Sequence, residues 1–373
     1  MADATRGARY QSNLALKATI RHECLSFVSF GTKSMRKAAK VYIHFPYRLG
    51  PYGGANQFFK ALRGALRRIG RFSESPETAD AVLFNSHHSI DQAIGFRKKN
   101  SKAIFIHRVD GPMRVYNSPS DKRDGIVALA SHLLADATVF QSEWSRTENE
   151  NAGWVGPPYR TLIGNAPDPE IFNSCGRALP PESLAGRGKV RIISSSWSPN
   201  PRKGFDVYAF LDETIDLDRF EFTFVGNSPY EFKRIRHLPP LESHALASEL
   251  KQNDIFLAAT LNDPCSNSLL EALACGLPVI ARRSGGNPEL VREGGLLFDE
   301  KEEVNGLMDD LAANYRAYVE AIYSPNIDEI ARNYADFVDF LVNEQDCGRL
   351  ITKKLSVFDD FFTRWRLRKL ERS

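Results

Sequence analysis

Asn262-Asp263-Pro264-Cys265-Ser266-Asn267-Ser268-Leu269-Leu270-Glu271-Ala272-Leu273-Ala274-Cys275-Gly276-Leu277-Pro278-Val279-Ile280 is the stretch that decides the fold. A polar loop passes into a short helix, Gly276 stops it, and β-branched residues after Pro278 begin a strand. Asp254 to Ala258, just upstream, is an apolar run of strand length. Strand, loop, helix and strand make one unit of an open parallel sheet, where ligands sit beyond the carboxyl ends of the strands. The loop brings several N–H groups to a helix N-terminus, which suits a diphosphate. Asp263 stands at the loop entrance and Glu271 in the first helical turn. Carboxylates there accept hydrogen bonds from vicinal hydroxyls. Ser268-x-x-Glu271 also has the form of a capping box, and the two roles can coexist.

The same grammar extends in both directions. Short apolar runs stand at Val41–Phe45, Ala81–Phe84, Ala103–Ile106, Thr138–Phe140 and Thr161–Ile163. A second series follows at Val190–Ile193, Phe220–Val225, Asp254–Ala258 and Leu277–Ala281. Helix-length segments separate them, so they read as buried parallel strands in two open α/β sheets. The stretch from Asn173 to Lys189 has the Pro- and Gly-rich composition of a linker. After about Glu300 the pattern is helical to the end.

Four more strand ends carry candidate chemistry. Gly53 and Gly54 precede a helix over Ala55–Arg71 and allow close backbone approach to an anion. The third strand ends in His107-Arg108-Val109-Asp110-Gly111-Pro112. Arg202 and Lys203 open a helix, where the dipole does not favour cations, and a bound anion would offset that conflict. In Ser284-Gly285-Gly286-Asn287-Pro288-Glu289, Asn287 is expected to cap a helix with Pro288 at its first position. Each of these also has a plain structural reading, as a turn, a cap or a solvated pair.

Composition bounds the rest. A chain of 373 residues with 42% apolar and 25% charged residues is globular and of two-domain size. Five scattered cysteines without a C-x-x-C pair argue against a zinc site or a disulfide framework and for a reducing compartment. The segment Asn13–Phe30 is broken by Lys17, Arg21, His22 and Glu23, so no signal peptide or membrane span is expected. The net charge of +3 hides a split: residues 1–72 carry +12 and the remainder −9. The helix Ala55–Arg71 has an apolar stripe of Phe58, Phe59, Leu62, Leu66 and Ile69 with Lys60, Arg63, Arg67 and Arg68 between. It reads either as a sheet-packed helix with a solvated basic face or as a surface resting on an anionic membrane. Arg364, Arg366, Arg368, Lys369 and Arg372 repeat the theme at the C-terminus. No basic groove with stacking aromatics marks a nucleic-acid binder.

Together these residues resemble glycosyltransferase family 4, retaining nucleotide-sugar glycosyltransferases of the GT-B fold. The resemblance spans roughly Val41 to Phe298. It rests on Asp263 and Glu271 with seven residues between them, Gly276-Leu277-Pro278-Val279-Ile280, and Gly285-Gly286-Asn287-Pro288-Glu289. Gly53-Gly54, His107, Gln141-Ser142-Glu143-Trp144-Ser145, Asn165-Ala166-Pro167-Asp168 and Lys203-Gly204 support it. The sequence departs from the family at Asp263, which replaces a glutamate, and at Trp197, which replaces an arginine; Arg202 is the candidate substitute.

The resemblance implies two facing Rossmann-like domains with mostly parallel sheets and a helical C-terminal tail. The expected divisions are a basic N-terminal extension (1–38), an acceptor-side domain (39–175), a linker (176–188), a nucleotide-sugar domain (189–345) and a C-terminal helix (346–373) crossing back to the first domain. His107, Asp263 and Lys203 are the expected catalytic residues. Gly53, Gly54, Arg202, Lys203, Ser266, Asn267, Ser268, Leu269 and Glu271 are expected to bind the donor. No metal or cofactor is expected, since Asp216-Leu217-Asp218 stands before a strand, at the wrong end for a ligand. The implied activity is sugar transfer from a nucleotide-diphosphate donor to a glycan, lipid-linked or polysaccharide acceptor, with retention, in the cytoplasm or peripherally on the inner membrane face. A sugar epimerase or phosphorylase on the same fold, or a nucleotide-sugar-binding protein whose catalysis has decayed, stays open as the alternative.

Overall fold

The computed structural model describes residues 38–50, 53–186 and 188–356, and the single positions 363 and 367. The basic extension over residues 1–37 and the tail positions Arg364, Arg366, Arg368, Lys369 and Arg372 lie outside the described residues. From residue 39 the chain forms one compact unit built of two α/β sheets.

The first sheet is wholly parallel, in the order β1 to β5: Val41–His44, Ala81–Asn85, Ile104–Val109, Ala137–Phe140 and Tyr159–Leu162. Its helices are α1 (Gly54–Arg68), α2 (Ile90–Lys99), α3 (Met113–Tyr116), α4 (Arg123–Leu133) and α5 (Glu143–Asn151). After α1 the chain bridges Phe72 to Val41 on the side of β1 away from β2. The winding therefore reverses at β1. Right-handed crossovers then place α1 on one face of the sheet and α2 and α4 on the other.

The second sheet is also parallel, in the order β11-β10-β9-β6-β7-β8. Its strands are β6 (Val190–Ser196), β7 (Phe220–Gly226), β8 (Arg236–Leu238), β9 (Ile255–Ala258), β10 (Val279–Arg282) and β11 (Gly295–Phe298). The helices are α6 (Phe205–Thr214), α7 (Ser243–Lys251), α8 (Asn267–Ala274), α9 (Asn287–Val291), α10 (Val304–Ala313) and α11 (Tyr315–Glu320). Here the winding reverses between β6 and β9. Both reversals mark crevices at the carboxyl ends of strands, and both open toward the same gap.

The last long helix corrects the expected boundary at 345. α12 (Ile327–Asp346) lays Ile327, Ile330, Ala331, Tyr334, Val338 and Leu341 into the core of the first sheet, against α1. Its apolar stripe has the helical period, and α1 offers the complementary face. Leu350 belongs to the same core, while Leu355 and Leu367 reach the opposite face of that sheet. The crossing back thus begins near residue 327.

α12 also changes the meaning of the basic helix. Arg68 pairs with Asp328 at 2.6 Å and Arg71 with Asp339 at 2.5 Å, while Arg67 pairs with Glu74 at 2.7 Å. Exposed pairs add little stability, yet they absorb charge that a membrane surface would otherwise meet.

Candidate functional site

The site is a gap between two helix N-termini. α1 starts after Gly53, whose φ of 34° lies in the region that favours glycine. A Cβ at Gly54 would stand 2.2 Å from the Asn267 side-chain nitrogen, so glycine lets the starts of α1 and α8 face each other closely. Asn165 donates to the Asn267 side-chain oxygen at 3.2 Å across the same seam. Between the walls lies a cavity of about 270 Å³.

α8 supplies the electropositive wall. Ser266 has extended backbone and its hydroxyl accepts from the Leu269 N–H at 3.4 Å, so Ser266 is the cap. The first helical bond runs from Leu270 N–H to the Ser266 carbonyl, leaving the amides of Asn267 and Ser268 ahead of it at the positive dipole end. Because the cap is Ser266, the capping-box reading of Ser268 and Glu271 is set aside. Glu271 lies further along α8 and lines the cavity. Burial pushes its carboxyl up to about 8.

Lys203 ends the short helical turn Pro201–Lys203, and Gly204 with φ 91° turns the chain into α6. Its ammonium donates to Asp263 Oδ2 at 3.0 Å and to the Tyr116 hydroxyl at 2.9 Å, and sits 4.8 Å from the Tyr116 ring centre. Burial works against that charge, but Asp263 outweighs it and holds the amine above its ordinary range. Asp263 Oδ1 accepts from the Cys265 N–H at 3.2 Å, which fixes the loop ahead of the cap. Gly285 and Gly286 support this loop from below: a Cβ on Gly285 would meet the Asp263 carbonyl at 2.3 Å, and the Gly286 N–H donates to that carbonyl at 2.8 Å.

Residues 192–316 match the group 1 glycosyl transferases. A polypeptide of the human phosphatidylinositol N-acetylglucosaminyltransferase is 27% identical over 173 residues, which cover 42% of this chain and 34% of that protein. D-inositol 3-phosphate glycosyltransferase of Corynebacterium glutamicum is 31% identical over 112 residues, 30% of this chain and 23% of that enzyme. The chain thus spans about a third or less of these curated relatives. Sucrose-phosphate synthase of Thermosynechococcus elongatus shares the fold over 82% of this chain and 99% of its own, at a TM-score of 0.62 and 15% identity. HepE of Anabaena, in complex with UDP-glucose, does so over 81% of this chain and 100% of its own, at a TM-score of 0.60 and 14% identity. The chain has the GT-B fold of two facing parallel α/β sheets, and residues 192–316 are similar to the group 1 glycosyl transferases.

The cavity gathers Gly53, Gly54, Lys203, Asp263, Ser266, Asn267, Ser268 and Glu271. Four expectations are corrected. His107 is fully buried on the other side of β3, stacked on Phe84, with ring nitrogens 2.8 Å from Ser131 Oγ and 2.9 Å from the Ser86 carbonyl. Burial lowers its pKa to about 4, and it is a core histidine rather than a cavity group. Arg202 does not line the cavity, because adjacent residues of the turn point apart; Trp197 lines it instead. Leu269 gives its N–H to the Ser266 cap and its side chain to the core. Asn287 is the first residue of α9, capped by Gly286, and its amide donates to the Arg282 carbonyl at 3.1 Å.

The sequence pattern favours His107, but it is two other residues of β3 and its end, Arg108 and Asp110, that line the cavity. Side chains alternate along a strand, so 108 and 110 share the face opposite to 107. Arg108 is held by Asn85 and Asn165 at 2.6 Å each. Asp216 Oδ1 accepts from the Asp218 N–H at 3.0 Å, forming a polar turn ahead of β7. Cys175, Cys265, Cys275 and Cys347 are free thiols.

Proposed function

We propose that this protein transfers a sugar from a nucleoside diphosphate sugar to a glycan, lipid-linked or polysaccharide acceptor, with retention at the anomeric carbon, in cell-surface polysaccharide or glycolipid synthesis. The observation that carries the reading is the convergence of the α8 N-terminus, Lys203 and the buried Glu271 carboxylate on one cavity between two parallel sheets. A diphosphate fits the amides and the ammonium; a ribose diol fits the carboxylate. Trp197, Gly226 and Leu241 line another part of the same cavity and offer a wall for the base. The relatives named as glycosyltransferases, and the UDP-glucose bound to HepE, point to the same donor class.

The mechanism follows from where charge develops. As the anomeric bond breaks, the sugar becomes oxocarbenium-like and the diphosphate gains negative charge. Lys203 is held charged by Asp263 before the donor arrives, and the Asn267 and Ser268 amides are already aimed, so both stabilise the leaving group with little reorganisation. The acceptor hydroxyl attacks from the face the diphosphate leaves and passes its proton to the departing phosphate oxygen. The proposed transfer uses no metal or other cofactor. The proposed membrane contact involves the basic residues of 1–72 and 364–372, of which Arg67, Arg68 and Arg71 are paired within the protein.

A panel of UDP-, GDP- and ADP-linked sugars, screened by thermal shift and followed by turnover with the stabilising donor, tests the assignment. One nucleotide sugar should raise Tm and be consumed only when an acceptor is present. Stabilisation by none of them would refute the donor class. A covalent sugar adduct trapped on Asp263 would refute the same-face route.

A further inference from the structure

We propose that Asp110 is the group through which the first domain holds the transferred sugar, a role resting on the nucleotide-sugar reading above. Within the cavity lining, Asp110 is the carboxylate that the first domain contributes; Asp263 and Glu271 come from the second. Its side chain is 18% exposed against 1% for its partner Arg108, so of the two lining groups the carboxylate is the more open. The carboxylate is also pre-positioned. Oδ1 accepts from Gln141 Nε2 and, at 3.2 Å, from Arg108 Nη1. The Asp110 carbonyl accepts from Asn149 at 2.8 Å, which fixes the backbone beneath it.

The position is as informative as the chemistry. Gly111, next in sequence, packs beside Pro264: a Cβ there would lie 3.6 Å from the Pro264 side chain. Pro264 follows Asp263, and Tyr116, five residues beyond Gly111, reaches Lys203. Asp110 therefore enters from the opposite wall near the end of the cavity where Lys203 and Asp263 meet. A diphosphate gripped by Lys203 and the α8 amides places its sugar between these walls. Asp110 accepts a hydroxyl of that sugar, and its charge faces the anomeric carbon as positive charge builds there.

The step balances without a covalent role for Asp110. The bond from the anomeric carbon to the phosphate oxygen breaks, with its electron pair leaving on the diphosphate. The acceptor oxygen bonds to that carbon, and the acceptor proton goes to the leaving phosphate oxygen. Asp110 exchanges no atom.

The test compares full-length wild type, Asp110→Asn and Asp110→Ala by calorimetric titration and steady-state turnover. The probes are the nucleotide sugar selected by the donor panel and its bare nucleoside diphosphate. Asp110→Ala should bind the bare nucleotide within about twofold of wild type yet bind the nucleotide sugar roughly ten- to a hundredfold more weakly. Asp110→Asn, which retains an acceptor oxygen at nearly the same place, should keep most of the sugar affinity and lose about a hundredfold in kcat. Equal loss for both probes, or unchanged sugar affinity and turnover, would overturn the proposal. Wild type that binds neither probe would instead overturn the donor reading on which it rests.

Discussion

Glu271 is the residue whose environment says most. A carboxyl pushed up to about 8 by burial keeps its proton across a range where the unfolded chain has lost it. Folding stability attributable to this group therefore falls as pH rises from about 4.5 to about 8. Glu271→Gln does not titrate, so its stability relative to wild type should rise across that window, by an amount on the order of a few kcal/mol. Denaturant unfolding at pH 5 and pH 8 checks this, and parallel pH profiles would contradict it. Donor hydroxyls favour the ionised carboxylate, so donor affinity should strengthen between pH 6 and pH 8. Asp263 and Glu271 were legible in sequence because they share one loop and helix, and Lys203 because a cation at a helix start is a local conflict. The choice of His107 over Asp110 was not, because residue types alone do not say which face of β3 meets the gap. Nor was the cap: Ser266 and Ser268 are both cap formers, and only the backbone distinguishes them.

At the scale of elements, the strands were readable because buried parallel strands are continuous apolar runs. The two strands left out, Arg236–Leu238 and Gly295–Phe298, are the edges of the second sheet, the first charged and short, the second opened by glycine. Glycine at 295 is required where it lies, since a Cβ would meet the Val279 carbonyl at 2.0 Å. The seam between α1 and α8 depends on Gly54 in the same way. A methyl there would overlap both the Asn267 amide nitrogen and, at 2.7 Å, its Cβ, so the helix starts must part. Gly54→Ala should cost about 1–3 kcal/mol at most and weaken donor binding roughly tenfold through the misplaced α8 amides. Denaturant unfolding beside donor titration separates the two effects, and wild-type donor affinity would contradict the seam's role.

Across the whole molecule, the two sheets are held together by polar contacts around the gap. Glu289 of α9 accepts from the Glu143 and Trp144 amides at 3.0 and 2.9 Å, acting at the N-terminus of α5 in the other domain. Asn200 reaches Asn117 at 2.6 Å, and Lys203 reaches Tyr116. α12 packs on the first sheet, and its acids pair with Arg68 of α1 and with Arg71 just after it. The division of charge along the chain was visible in sequence; its partial cancellation was not, because the pairing residues stand some 260 positions apart. The central claim is that this gap grips a nucleotide sugar from the second domain through Lys203, the α8 amides and Glu271. The most direct measurement is the dissociation constant of the selected nucleotide sugar for wild type and Glu271→Ala at pH 8.5, where Glu271 is ionised, with Tm recorded for both. Loss of charge-assisted hydrogen bonds to the ribose hydroxyls, about 1.5–3 kcal/mol, predicts ten- to a hundredfold weaker binding by a variant that stays folded. Equal affinity in the folded variant would contradict the account.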